Sequence, residues 1–150
     1  MLLKELNIVN FKNIGEATLN FIAGFNCFVG KNGVGKTNIL DAIYHLSMCK
    51  SYFHLSDIQN IRHDEPFFVV QGKYERNNDK IEVYCGVKRG FKKVFKRNQK
   101  VYDKLSEHIG LLPLVMISPE DVVLIDGGSE ERRKLIDGII SQCNRNYLHQ

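Results

Sequence analysis

The sequence predicts a mixed α/β domain, and three features of its 150 residues support that prediction. A glycine-rich loop lies between an apolar run and a helical pattern, the middle of the chain alternates like an antiparallel meander, and the last third contains two helix starts. The apolar fraction of 43% and the charged fraction of 25% are those of an ordinary soluble protein. A chain of this length is expected to form one domain with a real core.

The glycine-rich loop, residues 30–37, reads Gly-Lys-Asn-Gly-Val-Gly-Lys-Thr and fits G-x-x-x-x-G-K-(S/T), the phosphate-binding loop of P-loop NTPases. Glycines let the backbone turn several N–H groups towards one set of phosphate oxygens, and the N-terminus of the next helix favours anions. We expect Lys36 to reach the β- and γ-phosphates and the Thr37 hydroxyl to bind Mg²⁺. The predicted ligand is a nucleoside triphosphate with Mg²⁺, held by Gly30, Lys31, Asn32, Gly33, Val34, Gly35, Lys36, Thr37 and Asn38.

The elements around this loop follow from local patterns. Strands are predicted at residues 2–9 and 16–21, a buried strand at 25–29, and a helix at 36–48. Three short strands would then lead into the loop. Lys12, in the turn between the first two strands, could place a cation near the nucleotide, and the alternative is a solvated turn lysine.

The segment 66–102 predicts an antiparallel meander, with a hairpin of strands 67–75 and 81–87 and a further strand at 91–97. Its cations are interleaved with aromatic residues and include Lys88, Arg89, Lys92, Lys93, Lys96, Arg97 and Lys100. A nucleic-acid backbone is one candidate partner for them. The alternative is an exposed edge strand that lysines protect from pairing.

The last third predicts a short helix at 103–109, a buried strand at 111–117, a helix from Ser118 to the glycines at 127–128, and a longer helix from Ser129 to the chain end. The run 122–126 imitates a Walker B strand that ends in Asp126. It begins inside a helix-capping sequence and no glutamate follows Asp126, so we interpret it as helical. No catalytic acid is then identifiable, which predicts nucleotide binding without efficient cleavage.

The remaining composition excludes some classes of protein. Cys27, Cys49, Cys85 and Cys143 lie far apart without metal-ligand spacing, so we expect four reduced core residues. No apolar run is long enough to cross a membrane, and the N-terminus shows no export signal. These observations predict a cytoplasmic protein without a membrane partner.

Five further motifs resemble the RecF family, bacterial recombination and gap-repair proteins whose ABC-type ATPase head is related to SMC proteins. The matching stretches are residues 10–14, 24–26 with the phosphate loop, 40–44, 61–63 and 118–137. The last is the most specific, because it joins Ser-Pro-Glu-Asp at 118–121 to Gly-Gly at 127–128 and Glu-Arg-Arg-Lys-Leu-Ile-Asp at 131–137. The resemblance covers essentially all 150 residues.

The resemblance implies lobe I of an ABC/SMC-like head, with a mixed sheet around the P-loop helix. Residues 1–48 would bind ATP and Mg²⁺, residues 66–102 would form the meander, and residues 103–150 a helical segment. Lobe II, with the signature loop, Walker B acids and switch histidine, is missing from these 150 residues. Hydrolysis needs two complete heads, so this fragment alone would not hydrolyse ATP.

The resemblance also implies site residues and partners. Lys12 and Asn13 match a turn that lies against the nucleotide, and Arg62 and His63 match positions near the adenine. The segment at Ser118 takes the place of the Q-loop, without its glutamine. The implied partners are DNA, a second copy in an ATP-dependent homodimer and RecR, in DNA replication, DNA damage repair and the SOS response.

Two alternatives remain open at this point. The first is a small P-loop kinase that uses Asp126 as its magnesium partner. The second is a nucleic-acid-binding module whose nucleotide site is vestigial. Both differ from a repair ATPase in what nucleotide binding would achieve.

Overall fold

A computed structural model describes residues 1–53, 56–144 and 147 of the chain. Its strands and helices are β1 (Leu2–Phe11), β2 (Ile14–Asn20), α1 (Lys36–Met48), β3 (Phe67–Arg76), β4 (Asp79–Lys88), β5 (Val94–Arg97), β6 (Lys100–Val101), α2 (Val123–Asp126) and α3 (Ser129–Cys143). Short 3₁₀ turns lie at Asp57–Asn60, Leu105–Glu107 and Pro119–Val122. The predicted α/β class is confirmed, and so are the helix at 36–48, the hairpin and the meander.

The six strands form one sheet in the order β2-β1-β3-β4-β5-β6, and every neighbouring pair is antiparallel. The predicted mixed sheet is therefore wrong for the described residues. Alternation along the strands places Leu6, Ile8, Phe68, Val70 and Val83 on the face that packs into the core. The opposite face is open to solvent.

Helix α1 covers the buried face and contributes Ala42 and Leu46 to the core. It approaches β3 closely at Gly72, where an added Cβ would lie 2.8 Å from Cδ1 of Leu46 and 2.6 Å from the ring of Tyr74. Glycine at this position removes the side chain that would hold the helix away. The sheet therefore sets the position of the helix whose N-terminus follows the phosphate loop.

The C-terminal end of α1 is fixed by side chains from distant segments. The Oγ of Ser47 donates to the carbonyl of Leu112 at 2.5 Å, and Nε2 of buried His108 donates to the carbonyl of Leu46 at 2.6 Å. Nδ1 of His108 accepts from the Tyr102 hydroxyl at 3.1 Å. The bond from His108 satisfies one of the carbonyls that the end of a helix leaves without intrahelical partners, and the bond from Ser47 anchors the helix to Leu112.

His108 makes stability depend on pH. Burial lowers the pKa of His108 below its ordinary value, and the charge of Arg97 acts in the same direction. The folded protein therefore keeps this imidazole neutral while the unfolded chain still binds a proton near pH 6.5. We expect the free energy of unfolding to fall, by at most about 1.4 kcal/mol per pH unit, as the pH drops below about 6.5. Urea unfolding at pH 7.5 and 5.5 measures this loss of stability. In His108→Gln we expect a smaller change in the free energy of unfolding between the two pH values, and a change equal to that of wild type would contradict the prediction.

Two predicted buried strands, 25–29 and 111–117, are not strands in the structure. Phe25 and Val29 are 97% and 94% exposed, and Val115 and Ile117 are also exposed. An apolar run forms a strand only where another strand satisfies its backbone groups. No strand among the described residues pairs with either segment, and only Leu112 of the second is buried.

The predicted helices of the last third are partly confirmed. The helix at 103–109 shortens to the 3₁₀ turn Leu105–Glu107, and the run 122–126 is helical, as interpreted. Helix α3 begins at Ser129 after its N-cap Gly128 and ends at Cys143, and its apolar side is only partly covered. The predicted continuation to Gln150 falls mostly on residues outside the described ranges.

Cysteine burial corrects one prediction. Cys49 and Cys85 are core residues, but Cys27 and Cys143 are exposed, and all four are free thiols. Burial raises the pKa of the Cys49 thiol to about 12. None of the helices within the described ranges has the length and apolar character that a membrane span requires.

Candidate nucleotide-binding site

The phosphate loop lies directly before α1, and its glycines adopt backbone conformations that other residues rarely take. Gly33 has φ 82° and Gly35 has φ 106°, both in the left-handed region. Gly35 is the N-cap of α1, no side chain caps this helix end, and its first turn contains no acidic residue. The N–H groups and positive dipole end of the helix therefore remain available to an anion.

The Lys36 side chain folds over the loop. Its Nζ donates to the carbonyl of Gly30 at 2.8 Å and to that of Lys31 at 2.7 Å. This places an ammonium charge beside the uncapped helix end, where phosphate oxygens would find both a cation and backbone donors. The residues thus fit a triphosphate on the observed geometry.

Asn13 ties the β1–β2 turn to this loop. Its Nδ2 donates to the carbonyl of Gly33 at 2.7 Å, and its Oδ1 accepts from Nδ2 of Asn38 at 2.8 Å. A Cβ on Gly35 would lie 2.8 Å from that same Oδ1, so glycine is needed for the turn to approach. Asn13 therefore holds the β1–β2 turn against the loop through Gly33 and Asn38. Its predicted contact with a nucleotide stays a prediction.

Lys12 lies in the same turn, but its charge is paired inside the protein. Its Nζ is 2.6 Å from Oδ2 of Asp41, with side chains only 9% and 0% exposed, and 5.0 Å from the centroid of the Phe53 ring. Asp41 also accepts from the Ser51 hydroxyl and the Tyr52 N–H, each at 2.7 Å. Lys12 is thus neither a solvated turn lysine nor, in this geometry, directed at the loop.

Arg62 and His63 follow Ile61, which bridges to Phe11 at the end of β1. A Cβ on Gly15 would collide with the guanidinium of Arg62, so this cation lies over the start of β2. His63 is exposed and its Nδ1 is 2.9 Å from exposed Asp64. Their predicted proximity to adenine stays a prediction.

Thr37, the predicted Mg²⁺ ligand, carries its hydroxyl in the first turn of α1. No group of three or more His, Cys, Asp or Glu side chains with the arrangement of a metal site occurs within the described part of the chain. Asp41, one turn further along α1, is occupied by Lys12. A Mg²⁺ ion here would therefore depend on Thr37, phosphate oxygens and water, which is a common arrangement for this ion.

The predicted nucleic-acid cations do not all reach solvent. Lys88, Arg89, Lys92, Arg97 and Lys100 are exposed and Lys96 is half-buried. Lys93 is different, because its Nζ donates to the carbonyl of Cys49 at 2.6 Å and to Oδ2 of Asp57 at 2.7 Å. The structure therefore corrects the place of Lys93: it fixes the end of α1 and is held away from any partner.

Asp57 is the centre of that contact. Its Oδ1 lies 3.0 Å from Nε2 of buried His45, while Oδ2 pairs with Lys93. Burial acts to raise the pKa of Asp57, but hydrogen bonds from His45 and Lys93 outweigh it and hold the pKa below its usual range. Through its contacts with His45 and Lys93, Asp57 therefore joins the 3₁₀ turn Asp57–Asn60 to α1 and to the β4–β5 connection.

Sequence analysis missed Asp41, His45 and Asp57, which are charged or polar residues with structural roles. A signal existed for the first two, since Asp41 and His45 share the buried face of α1 with Ala42 and Leu46. A charged residue at such a position is expected to have a buried partner. No comparable signal identified Asp57.

A family model described as AAA ATPase domain matches residues 1–112. The chain belongs to the AAA ATPase domain family. The match spans the phosphate loop, α1 and the whole sheet, so the site described above lies within the residues that match this family.

Among its relatives, this AAA ATPase domain is similar to the DNA replication and repair protein RecF of Bacteroides fragilis, with 56% identity over 149 residues. It is 55% identical over 150 residues to the protein of the same name from Flavobacterium johnsoniae. The alignments cover 99% and 100% of this chain but 40% and 42% of the relatives. The resemblance to RecF is confirmed, and the chain spans about two fifths of those proteins' length.

Solved structures of RecF and of an SMC ATPase are similar to this chain. A structure of the recombination mediator protein RecF bound to ATP, in the RecFOR pathway, has a TM-score of 0.91 and 34% identity, and covers 98% of this chain and 40% of that one. An SMC ATPase structure has a TM-score of 0.75 at 21% identity over 93% of this chain and 99% of that one. The second match shows a shared fold alone.

Proposed function

We propose that this chain is the ATP-binding lobe I of a RecF-like DNA-repair ATPase. The observation that carries the proposal is the uncapped N-terminus of α1 with the Lys36 ammonium held beside it at 2.8 and 2.7 Å from two loop carbonyls. The similarity to ATP-bound RecF supports ATP as the nucleotide.

In this proposal, the loop amides and Lys36 bind the phosphates, and Thr37 contributes to the Mg²⁺ site. Lys31, Asn32, Val34 and Asn38 surround them within the loop and the first turn of α1. Asn13 holds the loop, and Arg62 with His63 lies on the side proposed for adenine. No residue is assigned as the acid that activates water.

The rest of a longer protein would complete the machinery. We propose that lobe II supplies the missing catalytic groups and the strands that pair with exposed segments 25–29 and 113–117. ATP would hold two complete heads together as a dimer. Such a cytoplasmic dimer would act with RecR at gapped DNA to help load a recombinase.

Lys36→Ala tests the nucleotide site. We expect this substitution to weaken binding of a fluorescent ATP analogue with Mg²⁺ by about 10- to 100-fold, because a hydrogen bond to a charged group contributes about 1.5–3 kcal/mol. Fluorescence titration with and without EDTA measures the change. Lys80→Ala, an exposed lysine at the far end of β4, is the matched control. Equal affinity of Lys36→Ala and wild type would overturn the proposal.

The kinase alternative is less well supported, because Asp126 ends helix α2 and does not follow a strand. Loss of phosphoryl transfer in Asp126→Ala would nevertheless favour it. The vestigial-site alternative predicts DNA binding in a protein that gives no Mg²⁺-dependent titration with the ATP analogue.

A further inference from the structure

We propose that the turn between β1 and β2 sets the shape of the phosphate loop, and that Asn13 of this turn is a positioning residue that raises nucleotide affinity through the loop backbone. Asn38 is the second positioning residue, because it reaches the loop through Asn13. The inference deepens the proposed function and rests on it for the identity of the nucleotide.

The Asn13 amide links the middle of the loop to the first turn of α1. Its Nδ2 donates to the carbonyl of Gly33 and its Oδ1 accepts from Nδ2 of Asn38. A carbonyl oxygen only accepts, so the bond to Gly33 fixes which way the amide points. Gly35 and Lys36 lie between the two linked residues, and their backbone N–H groups are among the donors available to phosphate. One side chain therefore fixes both ends of the segment that would bind the anion.

The composition of this segment makes such a link valuable. Gly33 and Gly35 both have left-handed backbone, and glycine loses more conformational freedom on ordering than any other residue. A loop that orders only when the ligand arrives subtracts that entropy from the binding free energy. The bonds to Asn13 hold the two glycines in place through protein atoms, so we infer that the loop is ordered before the nucleotide binds.

The turn can act in this way because it is itself fixed. Lys12 has φ 53°, a left-handed conformation that a residue of this type keeps only where its surroundings enforce it. Its N–H donates to the carbonyl of Asn60 at 2.8 Å, and its Nζ pairs with buried Asp41 at 2.6 Å. Asp41 lies about one turn beyond Asn38 on α1. Two adjacent turn residues, Lys12 and Asn13, therefore hold the same end of the helix.

Backbone ¹⁵N relaxation of the protein without nucleotide tests the inference directly. We expect order parameters of about 0.85 for the N–H groups of Gly33 and Gly35 in wild type, falling below about 0.6 in Asn13→Ala. Asn7→Ala is the matched control, because it also deletes an asparagine with two side-chain hydrogen bonds, on β1 and away from the loop. Unchanged order parameters in Asn13→Ala, or the same fall in Asn7→Ala, would overturn the inference.

A double-mutant cycle with the fluorescent ATP analogue separates positioning from direct contact. We expect Asn13→Ala to bind about five- to thirtyfold more weakly, which corresponds to the entropy of ordering about one backbone residue. Asn38→Ala removes one of the two bonds and should have a smaller effect, which disappears in the Asn13→Ala background. Effects that multiply in the double variant would instead mean that each side chain contacts the nucleotide independently, and would contradict the positioning roles.

The two proposals fail in different ways. Normal ATP binding by Lys36→Ala overturns the proposed function, whereas the order parameters of Gly33 and Gly35 require no nucleotide and test the role of Asn13 alone. Circular dichroism checks that each variant is folded. If Asn13→Ala does not fold, Asn38→Ala provides the same relaxation measurement, because it releases the loop from the helix side only. Rigid glycines in that variant would then reject the inference.

Discussion

Asp41→Ala is expected to lower the free energy of unfolding by about 3–5 kcal/mol, because it leaves the Lys12 ammonium in a buried site without its carboxylate. The pair is closed, with Nζ of Lys12 2.6 Å from the Asp41 carboxylate, and the Asp41 side chain is fully buried. The substitution also removes the acceptor of the Tyr52 N–H. Urea unfolding followed by circular dichroism gives the difference.

Three matched variants make this result interpretable. Asp41→Asn retains an acceptor oxygen and should cost less than alanine. Lys12→Met/Asp41→Leu replaces both charges by apolar side chains of similar size, and should be closer to wild type than either single change. Asp64→Asn removes an exposed negative charge but keeps a side chain that tolerates the left-handed backbone at this position, φ 64°, and should change stability by less than about 0.5 kcal/mol. A loss below about 1 kcal/mol in Asp41→Ala would show that the pair does not hold this region together.

Phe68→Ala is expected to cost about 3–5 kcal/mol, since it removes a fully buried ring from the centre of the core. The Phe68 ring is edge-on to those of Phe11, at 5.1 Å, and His45, at 5.5 Å. Its loss opens a cavity under α1 and also removes contacts beyond area burial. The same urea unfolding measurement applies.

Phe91→Ala is the matched control for Phe68→Ala, because it deletes the same side chain from an exposed position. We expect this control to stay within about 0.5 kcal/mol of wild type. Phe68→Leu, which keeps most of the volume, should cost less than the alanine variant. Equal effects of Phe68→Ala and Phe91→Ala would contradict the description of the core.

The phosphate loop, α1 and the β3–β4 hairpin could be predicted because their signals are local. Gly33 and Gly35 permit left-handed backbone, and Asn77 and Asn78 adopt the positive φ that a tight hairpin turn requires. Alternation in β4 then identifies its buried face without reference to any other element. The capping sequence at Ser118 likewise showed that the run ending in Asp126 is helical.

Segments 25–29 and 111–117 show where local reasoning ends. Their composition is that of buried strands, but a strand is stable only when a neighbour satisfies its backbone and covers its side chains. Whether that neighbour exists is a property of the assembled molecule, and the described residues provide none.

By itself, the sequence determined the α/β class, the phosphate loop and the helix that presents it, because glycine conformations and hydrophobic periodicity act between residues close along the chain. Only the tertiary structure decided the roles of lysines that look alike in sequence. Lys12 and Lys93 are paired with Asp41 and Asp57, whereas Lys88 and Lys96 remain uncompensated on the open face. A lysine has a long flexible side chain, so its partner depends on which distant segment the fold brings within reach.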